Sequence, residues 1–149
     1  MYYNLIVERI TGENVTVDYN LIVDLLQKLY SSISFSTFPY LYGNCNSSES
    51  IERYNSGNCI AMSMYILNSL KKKGIVSYLI PASVPTIYKD LQYLHICHVA
   101  LFIPCKDYNY IVDPAFYFQY PIEYNKITKT CNEIVNKSIY ETELNNDIE

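Results

Sequence analysis

The stretch Ser56-Gly-Asn-Cys59-Ile-Ala-Met-Ser-Met-Tyr-Ile-Leu-Asn-Ser-Leu70-Lys-Lys-Lys-Gly74 decides how the rest of the chain is read. Ile60, Met64, Leu67 and Lys71 share one helical face, and Cys59, Met62, Ser63, Ile66 and Leu70 share another. The spacing predicts a helix over about 58–73, apolar on two faces and therefore largely buried. Three lysines in the last turn suit the negative end of its dipole, and Gly74 is placed to cap it. Cys59 stands at the helix start, where the dipole and unpaired amides favour a thiolate and could hold a developing oxyanion. Gly57 allows a tight turn and a close approach to the backbone. The plain alternative is that Cys59 is one more small buried hydrophobe, as most free cysteines are.

Downstream, residues 75–81 read as a strand, 82–94 as a connection, 95–103 as a second strand and 108–112 as a third. The link at 104–107 has hairpin length. His98 shares its side of the pleat with Ala100 and Phe102, while His95 and Cys97 face the other way. The run His95-x-Cys97-His98 therefore does not aim three ligands at one ion, and neither a metal nor a cofactor is expected. Asp113 ends the third strand. It could simply open an Asp-Pro turn. In a hairpin, however, it lies near His98, where a carboxylate can fix an imidazole's tautomer and stabilise its charged form.

Upstream, residues 2–7 and 14–17 look extended. Asp18 is placed to cap a helix of about three turns carrying Leu21, Ile22, Leu25, Leu26 and Leu29. Residues 31–57 read as a long irregular loop with a short helix near 50–54, the kind of segment that is often functional. Residues 114–130 look aromatic and irregular, 131–141 weakly helical, and 142–149 a frayed polar tail. Helices followed by an antiparallel meander indicate an α+β fold. The expected organisation is a single domain over 1–149, with its core at 56–117 and an N-terminal part at 1–55.

Composition excludes several classes. The 149 residues are half hydrophobic and 17% charged, which is unlike a disordered chain. Eleven basic against fifteen acidic residues give a net charge of -4, so no nucleic-acid partner is expected. No apolar run approaches membrane-spanning length, and the N-terminus carries Glu8 and Arg9 rather than a signal-peptide pattern. Five cysteines with no C-x-x-C argue against a disulfide framework, so a cytoplasmic setting with reduced thiols is the expectation.

Taken together, Gly57-Asn-Cys59-Ile-Ala-Met-Ser, Leu70-Lys-Lys-Lys-Gly74-Ile-Val-Ser-Tyr78, His98-Val-Ala-Leu-Phe-Ile and Tyr110-Ile-Val-Asp113-Pro-Ala-Phe resemble the core of transglutaminase-like proteins. The resemblance covers about residues 56–117. It implies a papain-like core, with the nucleophile helix packed on an antiparallel sheet. It also implies a Cys59 nucleophile, a His98 general base and acid, and an orienting Asp113. Arylamine N-acetyltransferases share this order, but their Arg-Gly-Gly-x-Cys lead-in and Asp-Val-Gly-Phe segment are absent, which ranks that branch second. The chain has no tryptophan to match the one that helps the oxyanion hole of the large animal enzymes. Tyr42, Asn44, Tyr54 and Asn55 are candidates for the second donor.

The function so implied is a cysteine hydrolase or acyltransferase that works through a thioacyl-enzyme on peptide or glutamine-type amides, with hydrolysis favoured and a protein or peptide as substrate. The tyrosines at 38–42 and 116–124 are candidates to line a peptide cleft, or ordinary aromatics of core and surface. A catalytically silent module that binds a protein partner is the alternative from another class.

Overall fold

A computed structural model of the chain describes residues 16–82, 97–106, 108–125 and 130–131. The first helix, α1 (Tyr19–Ser32), starts where Asp18 accepts a hydrogen bond from the Asn20 amide at 2.9 Å. It buries Ile22, Leu25, Leu26 and Leu29, the stripe expected from their spacing.

Residues 33–57 are more regular than a loop, contrary to expectation. They form β1 (Ser34–Phe35), the one-turn helix α2 (Phe38–Leu41), α3 (Ser47–Tyr54) and β2 (Ser56–Gly57), with β1 and β2 pairing in parallel. Helix α3 is set by a reciprocal capping box. Asn46 Oδ1 accepts from the Ser48 and Glu49 amides, and Glu49 Oε2 accepts from the Asn46 amide. The short helix expected near 50–54 is present and starts three residues earlier, at a polar first turn that a hydrophobic-period reading does not mark, because only Ser50 of the helix is buried.

Helix α4 (Cys59–Lys71) follows at once, its N-cap Asn58 accepting from the Ala61 amide at 3.0 Å. The chain leaves the helix through a turn to Gly74, whose φ of +74° is the left-handed conformation that glycine adopts most easily. The buried residues Met62, Ser63, Ile66 and Leu70 lie along one side. Helix α4 packs against β4 of a five-stranded antiparallel sheet ordered β3-β4-β5-β6-β7: β3 (Tyr78–Ala82), β4 (His98–Pro104), β5 (Tyr108–Val112), β6 (Ile122–Asn125) and β7 (Thr130–Cys131). Met62, Ile66 and Leu70 meet Leu101, Ile103, Tyr110 and Val112 of the sheet and the α1 stripe in one core. At roughly 1.5–3 kcal/mol for each fully buried large apolar side chain, this cluster anchors α4 to the sheet.

The α+β class and the antiparallel order match the expectation, and β5 falls where it was placed. Strands β6 and β7 were not foreseen, because the Tyr- and Pro-rich 114–130 stretch lacks clean alternation. The extended segment at 2–7, the 82–94 connection beyond Ala82, His95 and the 131–141 helix beyond Cys131 lie outside the described residues. Among the described residues no helix is long and apolar enough to cross a membrane.

Candidate active site

Cys59 is the first residue of α4, His98 the first of β4, and Asp113 follows the last residue of β5. The β4–β5 register pairs Leu101 with Val112. Continuing it by one pair sets Asp113 opposite Ala100, on the face that His98 shares. There His98 Nε2 donates to both carboxylate oxygens of Asp113, at 2.9 Å to Oδ1 and 2.8 Å to Oδ2. His98 and Asp113 are only 7% and 6% exposed, so water does not screen the pair. With Nε2 taken by Asp113, His98 also couples electrostatically to the Cys59 thiol.

The three sequence-predicted residues are thus brought together from positions 59, 98 and 113. Burial works against ionising Cys59, but the hydrogen bond and charge of His98, with backbone hydrogen bonds at Val99 and Ile60, outweigh it and lower the thiol's pKa. Burial likewise opposes a charged His98, yet Asp113 and Cys59 together lift its pKa to about 9. A thiolate facing an imidazolium is the state both shifts favour.

Further aromatic side chains, several from the 38–42 and 116–124 segments, complete the surroundings. Phe116, in the 3-10 turn Pro114–Phe116, sets its ring edge-on to His98 at 4.8 Å between centroids. Tyr30 hydrogen-bonds the Phe118 carbonyl at 2.6 Å. Its own ionisation is suppressed by burial first and by the Asp113 charge next. Tyr117 accepts from the Phe35 amide at 2.8 Å. Tyr40 accepts from the Asn58 amide at 3.1 Å, beside Cys59. Of the loop candidates for a second donor, Tyr42, Asn44, Tyr54 and Asn55 are all exposed. Tyr40, from the same loop, is the side chain bonded to the Cys59 turn. The sequence marked Tyr40 only as one of the tyrosines at 38–42 and not as a partner of the Cys59 turn, since Asn58 lies 18 positions away.

Cys45 and Cys105 are buried and Cys97 is exposed, all as free thiols. Among the described residues no cluster of three or more His, Cys, Asp or Glu side chains could hold a metal ion.

No protein-family model and no curated protein matches the chain. Among solved structures it is similar to an arylamine N-acetyltransferase from Bacillus cereus, described as having a Cys-His-Glu catalytic triad. The TM-score is 0.61 at 16% sequence identity, over 83% of this chain and 53% of that one. The likeness establishes the fold as a papain-like α+β core, and this chain spans about half the length of that structure. That structure belongs to the branch that the motifs ranked second.

Proposed function

We propose that the protein catalyses cysteine-dependent acyl transfer through a thioacyl-enzyme, with Cys59 as nucleophile, His98 as general acid and base, and Asp113 as the carboxylate that orients and charges His98. The observation that carries this reading is the contact of His98 Nε2 with both Asp113 carboxylate oxygens, on a histidine that also interacts with Cys59. A histidine held only for packing needs neither a buried carboxylate nor a thiol partner. The same argument weighs against a silent binding module.

In the reaction, the Cys59 thiolate attacks an ester or amide carbonyl and forms a C–S bond. The Asn58, Ala61 and Met62 amides of the first turn have acceptors, whereas the Cys59 amide has none among the described residues, so it is the donor available to the oxyanion. The intermediate collapses and the leaving group departs with a proton from His98. An acceptor then attacks the thioester while His98 removes its proton, which regenerates the thiolate.

The motif resemblance favours water as acceptor and a peptide or glutamine amide as substrate. The likeness to an N-acetyltransferase favours transfer to an amine, and we adopt transfer. The test is incubation with p-nitrophenyl acetate, with and without aniline. The expected result is an acetyl group on Cys59 by peptide mass mapping, and acetanilide when the amine is present. Cys59→Ala abolishes both with its circular dichroism unchanged. Acetate without acetanilide makes the protein a hydrolase, and an unlabelled Cys59 overturns the reading.

A further inference from the structure

The loop side of Cys59 carries a chain of neutral hydroxyl contacts that the reaction as described does not use. The Asn58 amide donates to Tyr40 Oη at 3.1 Å, Tyr40 Oη meets Ser50 Oγ at 2.9 Å, and Ser50 Oγ donates to the Ser47 carbonyl at 3.1 Å. Ser50 is fully buried, so these hydroxyls depend on one another for satisfaction. Space here is also closed. A β-carbon at Gly57 would lie 2.5 Å from Ala61 Cβ, 2.9 Å from Ser50 Oγ and 3.1 Å from Tyr40 Oη. The turn Gly57-Asn58-Cys59 is therefore gripped from α2 by Tyr40 and from α3 by Ser50.

We infer that Tyr40, braced by Ser50, is a positioning residue that fixes the Gly57–Asn58 peptide and so, one unit further along, aims the Cys59 amide at the oxyanion. The inference rests on the acyl-transfer reading. Its physical content is selective. The phenol bonds the amide one residue before Cys59 and touches neither His98 nor Asp113 in any described contact. Losing it leaves the thiolate's charge partners in place and frees the backbone that carries the oxyanion donor. Oxyanion donors act only when held in place before the charge develops.

Two reactions of the same thiol separate these effects. Iodoacetamide alkylates a thiolate by displacing iodide and forms no oxyanion. With p-nitrophenyl acetate the sulfur adds to the carbonyl, an oxyanion forms, and the C–O bond then breaks to release p-nitrophenolate with the electron pair. In Tyr40→Phe, acetylation of Cys59 is expected to slow about tenfold, while its alkylation rate and the pH profile of that rate stay within about twofold of the starting protein. Equal loss of both rates, or no loss of either, overturns the inference. Should Tyr40→Phe fail to fold, Ser50→Ala reads the same ratio: a selective fall in acetylation supports the inference, and an unchanged ratio overturns it. Failure of the acyl-transfer reading looks different. Cys59 of the unaltered protein would then react with both reagents no faster than the exposed Cys97 does, and His98→Ala would change nothing.

Discussion

The two sides of Cys59 are built from different materials. On the sheet side, β4 and β5 present a buried ion pair, His98 and Asp113, joined through two short contacts. On the loop side, α2 and α3 present only neutral hydroxyls, Tyr40 and Ser50, which hold backbone rather than the thiol. Charges interact over several ångströms and set where protons reside, whereas neutral hydrogen bonds act at contact distance and set where atoms sit. The division suits acyl transfer, which needs a thiolate and a fixed oxyanion donor from two independent sources.

The largest expected effect attacks the charged side. Asp113→Asn keeps the shape but removes the charge that helps hold His98 protonated. It should slow acetylation of Cys59 by roughly ten-thousandfold, by analogy with the orienting carboxylate of a serine triad, and should slow alkylation at neutral pH as well. If only acetylation fell, the two sides would not be divided as described. Next, Gly57→Ala attacks the neutral side by crowding. Ala61 Cβ has no rotamer with which to retreat from a contact at 2.5 Å, so a loss of about 1–3 kcal/mol is expected in urea unfolding.

The smallest effect is on pH dependence. In the unaltered protein, the raised His98 and the lowered Cys59 oppose each other in the linkage between their ordinary pKa values. Cys59→Ser removes the thiol's share. A histidine whose pKa is raised in the folded state contributes stability that is present below about 6.5 and is lost as pH climbs through the folded value. Cys59→Ser should therefore lose stability between pH 6.5 and the region approaching 9, as read by urea midpoints. Adding Asp113→Asn should flatten that slope.

How legible these two sides were in the sequence differs for the same physical reason. The charged side was legible. Its histidine and aspartate sit on strands with strong apolar patterns, and a four-residue link made the hairpin register predictable. The start of α4 was legible too, since Asn58, Cys59 and Gly74 carry cap and turn signals that act within a few residues. The loop side was not. Of its elements only the end of helix α3, near 50–54, was expected; its start is set by a capping box and the helix buries almost nothing of its own, so it lacks an apolar period. Strands β6 and β7 were missed because they are four and two residues long, too short to show a period beside the aromatic stretch before them.

The amino-acid sequence alone determined the α+β order of elements, the placement of a thiol at the start of a buried helix, and the approach of a carboxylate to an imidazole across one hairpin. All three follow from local periodicity, caps and a short turn. Only the tertiary structure decided that Cys59 meets His98, that Tyr40 grips the Asn58 amide, and that Ser50 braces Tyr40. These contacts join different elements across 10 to 39 positions of chain. They exist because α4 is packed on β4 by a shared apolar core, which brings polar groups from separate segments within hydrogen-bond reach.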